Sequence, residues 1–166
     1  MAMNRRIVMK RARPDDLAEA LTLFEDVRAW MINRGVNTWR PIELWRDLIA
    51  QKITYGVMYL AWLDGQVVGT MTLDWEAGEL WDAAPAEAGY LAHFTTRRAL
   101  AGTRIGTQML AWAEAETRRA GKAYLRLDCW AENQALCAYY ERAGFERRRN
   151  ITIGDFPVAL YEKRLS

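Results

Sequence analysis

One stretch, FTTRRALAGTRIGTQMLAWAEAE from Phe94 to Glu116, holds the residues best suited to chemistry. A strand-like run enters a turn holding Gly102 and leaves it as a helix. A loop that opens a helix presents unpaired N–H groups and a partial positive charge, and both suit a phosphate. The backbone of Ala101, Gly102, Thr103, Arg104, Ile105, Gly106 and Thr107 is therefore a candidate anion grip, with Arg97, Arg98 and Arg104 as nearby charge. Taken alone, the same residues also read as a plain strand–helix turn with solvated arginines. Just upstream stands His93, the only histidine of the chain, and imidazole titrates where a general base must. A lone histidine in a strand also reads as structural, and Asp74, Glu76 or a water chain are the alternative bases. Eight tryptophans are many for 166 residues, and Trp30, Trp39, Trp45, Trp75 and Trp81 all precede the glycine loop. From Asp74 to Glu87 there are five acids and no Lys or Arg. Aromatic faces and carboxylates attract cations. Trp30, Trp39, Trp75, Asp74 and Glu76 are thus candidate contacts for a small cationic ligand. The other reading puts Trp30 and Trp45 on core-facing helix faces and the acids in a solvated loop.

The elements that must position these groups follow from periodicity. RRIVMKRA reads as a strand. Pro14 and Asp15 open a helix whose apolar face is Leu17, Leu21, Phe24, Val27 and Met31, with Gly35 at its end. PIELWRDLIAQKI is a second helix, again begun by proline. GVMYLAWL and QVVGTMTLDW are strands joined by the hairpin signal Asp64-Gly65. After a loop, GYLAHFTT is a strand, and a helix runs from about Arg104 to Ala120, stopped by Gly121. KAYLRLDCW is a strand, NQALCAYYERA a short helix capped by Asn133 and closed by Gly144, and FERRRNITI and FPVALYEKRL are closing strands. The order β-α-α-β-β-β-α-β-α-β-β predicts an α/β (α+β) domain with a mixed sheet.

Composition sets the outer bounds. The chain has the length of one domain and enough apolar residues for a core. No run approaches the roughly 18 to 20 apolar residues of a membrane span, and the first residues lack the apolar centre of a signal peptide. Cys129 and Cys137 have no metal-ligand spacing, so reduced structural cysteines in a cytoplasmic protein are expected and no metal site. The net charge of +2 is too small to argue for nucleic acid, and the tribasic run in ERRRN lacks interleaved aromatics and reads as a solvated face. Charge is unevenly spread. From Arg97 onward 13 Lys and Arg face 8 Asp and Glu, and before it 10 face 13. An anionic ligand on the later half and a cationic one on the earlier half suit this split, which small domains also show without any ligand.

Two motifs carry a resemblance. YLAHFTTRRALAGTRIGTQMLAWAE is a strand–turn–helix, and about 30 residues beyond its glycine loop NQALCAYYERAGF is an Asn-started, Tyr-bearing helix that ends in Gly-Phe. Together with the element order, they resemble the GNAT superfamily of acyl-CoA-dependent N-acetyltransferases. The resemblance implies a single GNAT-like domain over residues 1–166, with an acceptor-binding part over about 1–88 and an acetyl-CoA-binding part over about 89–166. It implies a mixed, mostly antiparallel sheet with splayed central parallel strands, Gly89–Thr96 and Ala123–Trp130, flanked by helices. Phe94, Thr95 and Thr96 would pair with the pantetheine arm, and an N–H near His93–Thr95 would face the developing oxyanion. The loop from Ala101 to Thr107 would grip the pyrophosphate. Tyr140, protonated at neutral pH, aligns with the family's general acid toward the departing thiolate, and Asn133 would bond the pantetheine, cap its helix, or both. The family's loop pattern is Arg/Gln-x-x-Gly-x-Gly/Ala. Here its first position is Ala101, its fourth is Arg104, and only its last, Gly106, matches. The glutamate that many relatives carry three residues before the equivalent of Thr95 is Ala92. The implied activity is acetyl transfer from acetyl-CoA to a primary amine of a small cationic or amino-acid-like acceptor, by direct attack in a ternary complex. No nucleic acid or membrane partner is implied, and a homodimer is compatible with it. The alternative is a catalytically weak acyl-CoA-binding sensor.

Overall fold

Hairpin geometry starts the sheet. Asp64 and Gly65 take φ values of 51° and 78°, and positive φ at both central residues is what a tight two-residue turn between right-twisted strands requires. The turn sets Leu63 opposite Gln66 and fixes the register of the strands on either side. The computed structural model describes residues 5–35, 42–81 and 87–165. Its elements are β1 (Val8–Arg11), α1 (Leu17–Asn33), α2 (Ile42–Thr54), β2 (Met58–Leu63), β3 (Gln66–Asp74), β4 (Ala88–Thr96), α3 (Ile105–Arg119), β5 (Tyr124–Trp130), α4 (Gln134–Arg142), β6 (Glu146–Ile153) and β7 (Phe156–Arg164). Short 3-10 turns at Pro14–Asp16 and Arg98–Leu100 precede α1 and α3. The prolines expected to begin α2 and to lie in the loop before β4, Pro41 and Pro85, fall outside the described residues.

The seven strands form one mixed sheet in the order β1-β2-β3-β4-β5-β7-β6. β1 with β2, β2 with β3, β5 with β7 and β6 with β7 are antiparallel. The parallel pair is β4 with β5, from Ala88↔Tyr124 to Leu91↔Leu127. Beyond that last pair β4 continues to Thr96 and β5 to Trp130.

The chain packs as two compact units, Met1–Thr72 with His93–Trp112, and Leu73–Ala92 with Ala113–Ser166. In the first, α1 turns Ala20, Leu21, Phe24 and Val27 inward, the face its 3.6-residue period predicts, and Leu23 is buried beside them. Ala20, Leu21 and Phe24 form one buried cluster with Ile49, Ile53, Met58, Leu60 and Val67, and Leu17, Trp45 and Trp62 pack against it. Gly69 lies in the same packing: a Cβ there would stand 2.6 Å from Met109 Sδ and 3.0 Å from Thr95 O, so the end of the methionine would have to move aside.

The second unit is built on β5 and β7, whose facing residues Leu125, Leu127, Val158, Ala159, Leu160 and Tyr161 are buried. Arg126 and Glu162 are opposite each other in that ladder and both buried. Arg126 Nε donates to Glu162 Oε2 (2.8 Å) and its Nη1 to the Tyr90 hydroxyl (3.0 Å), while Trp81 stacks on the guanidinium at 4.7 Å. The remaining carboxylate oxygen, Glu162 Oε1, lies 3.3 Å from Arg148 Nε. A buried charge pair holds only when its lone pairs and protons are matched in this way.

Candidate active site

In the first unit the site is organised by the end of β4. His93 sits inside the strand at φ 49°, a left-handed conformation uncommon for a side-chain-bearing residue. This is the kind of irregularity that breaks two-residue alternation, so Ala92 and His93 need not point to opposite faces. Two threonines of β3 hold the bend. Thr70 donates its hydroxyl to His93 O (2.9 Å), which leaves Thr95 to donate to Thr70 Oγ1 (2.7 Å). Thr72 Oγ1 lies 3.1 Å from His93 Nδ1. Trp45 and Phe24 meet the imidazole edge-on, with ring centroids 5.2 and 6.4 Å away. Burial first, and then the Lys52 ammonium, bring the His93 pKa down from 6.5 to about 4. The ring is therefore neutral at pH 7 and a weak base, suited to holding Thr72 more than to taking an ammonium proton.

A depressed imidazole pKa stores a stability term with a definite sign. The unfolded chain takes up the proton below pH 6.5 and the folded chain only near 4, so stability is complete above 6.5 and is lost as pH falls toward 4. At pH 5 the loss attributable to His93 is about 2 kcal/mol. His93→Asn keeps a polar partner for Thr72 and tolerates positive φ, but does not titrate. Urea unfolding at pH 7 and pH 5 is expected to show a drop smaller by about that amount in the variant. An equal drop in both proteins would remove the assignment.

The turn after β4 is anchored before it reaches the glycine. Arg97 N–H donates to Val68 O (2.8 Å), and its guanidinium donates to Val67 O from Nη2 (2.8 Å) and Nε (3.3 Å). Gly102 then adopts φ 82°, and a Cβ there would meet nothing within 4 Å. Thr103 closes the turn through its N–H and hydroxyl, both donating to Leu100 O. Arg104 takes φ 64°, so the position where the family pattern has glycine demands a glycine-like backbone, and this chain supplies it with arginine. The first helical bond of α3 runs from Gln108 N–H to Arg104 O (3.1 Å). The N–H groups of Ile105, Gly106 and Thr107 thus precede every helical acceptor and are available to an anion. Ile105 is buried and anchors this end, whereas Ala101, Gly102, Thr103, Arg104 and Thr107 are exposed.

In the second unit α4 carries the candidate acid. Asn133 caps it, its Oδ1 accepting from Leu136 N–H (3.1 Å). The other end closes as a Schellman turn: Gly144 at φ 94° donates to Glu141 O (3.0 Å) and Phe145 N–H to Tyr140 O (3.0 Å). Lys163 donates to Ala143 O (2.8 Å) at that terminus and lies where a Cβ on Gly144 would press, 3.2 Å from its Cε. Tyr140 is 4% exposed, its ring centroid 5.5 Å from Tyr139, 5.9 Å from Phe145 and 6.1 Å from Tyr161. Among the described residues its hydroxyl has no hydrogen-bond partner, and it is not among the sealed polar atoms. Burial first, then Cys129, Tyr139, Asp128 and Cys137, push the phenol well above its ordinary value. Cys129 and Cys137 are free thiols, buried, with their sulfurs 3.7 Å apart.

The tryptophans and acids that the sequence offered as contacts for a cationic ligand have the following neighbours within the protein. Asp74 Oδ1 accepts from the N–H groups of Trp75 (2.7 Å) and Glu76 (3.2 Å), shaping the chain as it leaves β3. Trp75 is 36% exposed, and its ring edge lies 3.0 Å from where a Cβ on Gly89 would stand. Trp45 stacks on Phe24, Trp81 on Arg126, and Trp30 carries the guanidinium groups of Arg34 and Arg98. Trp39 lies outside the described residues. Among the described residues no three His, Cys, Asp or Glu side chains are placed to hold a metal ion. Sequence reasoning missed Thr70 and Thr72. Two threonines spaced two apart in an otherwise apolar strand were a usable signal for both.

A mixed sheet with one parallel pair, a glycine turn leading from it into a helix, and a second helix closed by Gly-Phe define an acyltransferase fold. The family model for the Acetyltransferase (GNAT) family matches residues 23–145, and the chain belongs to that family. It is 29% identical over 137 residues to the uncharacterized N-acetyltransferase YesJ of Bacillus subtilis (strain 168), covering 78% of this chain and 76% of that one. Its fold is similar to a GNAT-family acetyltransferase from Listeria monocytogenes 4b F2365, with TM-score 0.76 and 24% identity over 96% of this chain and 95% of the other. It is also similar to the PaiA N-acetyltransferase of Thermoplasma acidophilum in complex with coenzyme A, with TM-score 0.75 and 17% identity over 96% and 99%.

Proposed function

We propose that this acetyltransferase moves the acetyl group of acetyl-CoA onto a primary amine of a small amino-acid-like or cationic acceptor, by direct attack in a ternary complex. The observation that carries this reading is the start of α3: three N–H groups without helical acceptors, beside a glycine with open space around it. That arrangement fits a pyrophosphate, with Ala101 to Thr107 as the grip. The coenzyme A in the PaiA structure supports the same choice of cofactor. Phe94, Thr95 and Thr96 lie past the last parallel pair of β4, so backbone groups there are free for a pantetheine arm, and Asn133, its Oδ1 committed to the cap, offers its amide N–H₂.

When bound, the thioester supplies an acyl carbon whose C–S bond breaks as the C–N bond forms. The acceptor ammonium loses one proton to water before attack, and the nitrogen gives up a second as sulfur departs, so amide, thiol and one free proton result. An N–H near His93–Thr95 faces the carbonyl oxygen, its direction set by the left-handed residue and the threonine pair. Tyr140 donates a hydrogen bond to the leaving sulfur. A raised phenol pKa makes complete proton transfer to a thiolate of pKa near 8.5 uphill, so the benefit is charge stabilisation by a neutral donor. With the His93 pKa lowered to about 4, this reading leaves deprotonation of the ammonium to solvent.

Calorimetric titration with acetyl-CoA, followed by thiol release against an amine panel, tests this. Saturable uptake in the micromolar range and amine-dependent release are expected. Uptake without release would support the acyl-CoA sensor, and no uptake at millimolar coenzyme A would overturn both.

A further inference from the structure

A phenol that must reach a ligand is placed by its ring and by its helix. Tyr161 of β7 bears on both for Tyr140. Tyr161 is 0% exposed, and its ring centroid lies 6.1 Å from that of Tyr140 at a tilt of 44°. Its hydroxyl donates to Glu141 Oε1 (2.8 Å), on the residue of α4 that follows Tyr140. The direction of that bond is settled by a third group. Arg147 Nε, opposite Tyr161 in the β6–β7 ladder, donates to the same phenol oxygen (3.0 Å), and a guanidinium can only donate. The one phenol proton therefore goes to the carboxylate, which makes the stronger, charge-assisted kind of bond. The end of α4 is tied separately. Lys163, two residues on and on the same face of β7, donates to Ala143 O (2.8 Å) and to Glu114 Oε1 of α3 (2.6 Å). A tie at the last carbonyl holds the place where a helix ends but lets the helix roll about its axis. The bond to Glu141 stops the roll.

We propose that Tyr161 is a positioning residue for Tyr140: through its bond to Glu141 it sets the roll of α4, and with it the point to which the Tyr140 hydroxyl is delivered. This rests on the reading given under Proposed function, in which that hydroxyl donates to the departing sulfur. The leverage is geometric. A tyrosine oxygen stands roughly 8 Å from the axis of its helix, so a roll of about 10° carries it about 1.4 Å. A misplacement of about 1 Å at a reacting centre can cost about a hundredfold in rate. Tyr161 itself is shut off from any ligand by its burial, so its influence on the reaction passes through α4.

Thiol release with an amine panel is measured in the wild type, Tyr161→Phe, Glu141→Ala and Glu141→Gln, and in Tyr140→Phe with and without Tyr161→Phe. Tyr161→Phe keeps the buried ring. Glu141 and Arg147, 4.0 Å apart and partly solvated, still have each other, so the fold is expected to stand, and urea unfolding checks it. Tyr161→Phe and Glu141→Ala break one bond from its two ends. Each is expected to lower kcat about tenfold, with KM for acetyl-CoA within about twofold. Glu141→Gln keeps an accepting oxygen and is expected to keep about half of the wild-type kcat or more. In the Tyr140→Phe background, Tyr161→Phe is expected to cost nothing further, because the group it places is gone. Wild-type kcat in Tyr161→Phe or in Glu141→Ala would overturn the proposal. So would a second tenfold loss on top of Tyr140→Phe, or a rise confined to KM for acetyl-CoA, since neither passes through the Tyr140 hydroxyl. If no amine releases thiol from the wild type, the function reading fails and the positioning role falls with it. If the wild type turns over and the two substitutions add, the positioning role alone fails.

Discussion

Tyr140→Phe is expected to lower kcat about a hundredfold while leaving KM for acetyl-CoA nearly unchanged. The substitution removes one oxygen from a ring that is 4% exposed and packed against Tyr139, Phe145 and Tyr161, so the fold has no reason to move. The hydroxyl makes no hydrogen bond within the protein among the described residues, so its loss leaves no orphaned partner. Any effect is therefore on the departing sulfur. Burst and steady-state thiol release separate the chemical step from product loss. Full activity in the variant would strip Tyr140 of its role, and a rise in KM alone would make it a binding group.

Arg126→Leu is the substitution with the largest expected effect on stability, a loss of about 3 kcal/mol. Leucine fits the apolar surroundings, but Glu162 keeps a buried carboxylate whose 2.8 Å partner is gone. The Arg148 contact at 3.3 Å, from a side chain 53% exposed, compensates only in part. The Tyr90 hydroxyl and the Trp81 ring lose their partner as well. In the double variant with Glu162→Leu most of the loss is expected to return, because a matched apolar pair replaces a matched ionic one. Urea denaturation of the two single variants and the double variant reads this cycle. A single-variant loss below about 1 kcal/mol would show that solvent reaches the pair.

The element order was legible because local signals agreed with one another. The Asp64-Gly65 pair set the hairpin, the Leu21–Phe24–Val27 spacing set the buried face of α1, and Asn133 with Gly144 set both ends of α4. The backbone of the candidate cofactor loop was legible for the same reason. Conformations imposed by neighbours in space were not. Nothing local to AHFTT demands a left-handed His93; Thr70 and Thr72, more than twenty residues earlier, hold it. Nothing local to TTRRAL shows that Arg97 is spent on Val67 O while Arg98 is not. Nor does anything local to the tryptophans show that Trp30 meets Arg34 and Arg98 and that Trp81 meets Arg126, contacts that tertiary packing alone creates.

The chain contains a single imidazole, and it stands at the bend of β4 next to Phe94. A proton magnetic resonance spectrum of the native protein therefore holds one set of histidine ring lines, already assigned by elimination. Those lines would follow acidification toward pH 4 and would shift when an acyl thioester settled along the adjoining backbone. On the proposed reading of the site, the enzyme thus carries a label beside its thioester, with no isotope or dye added.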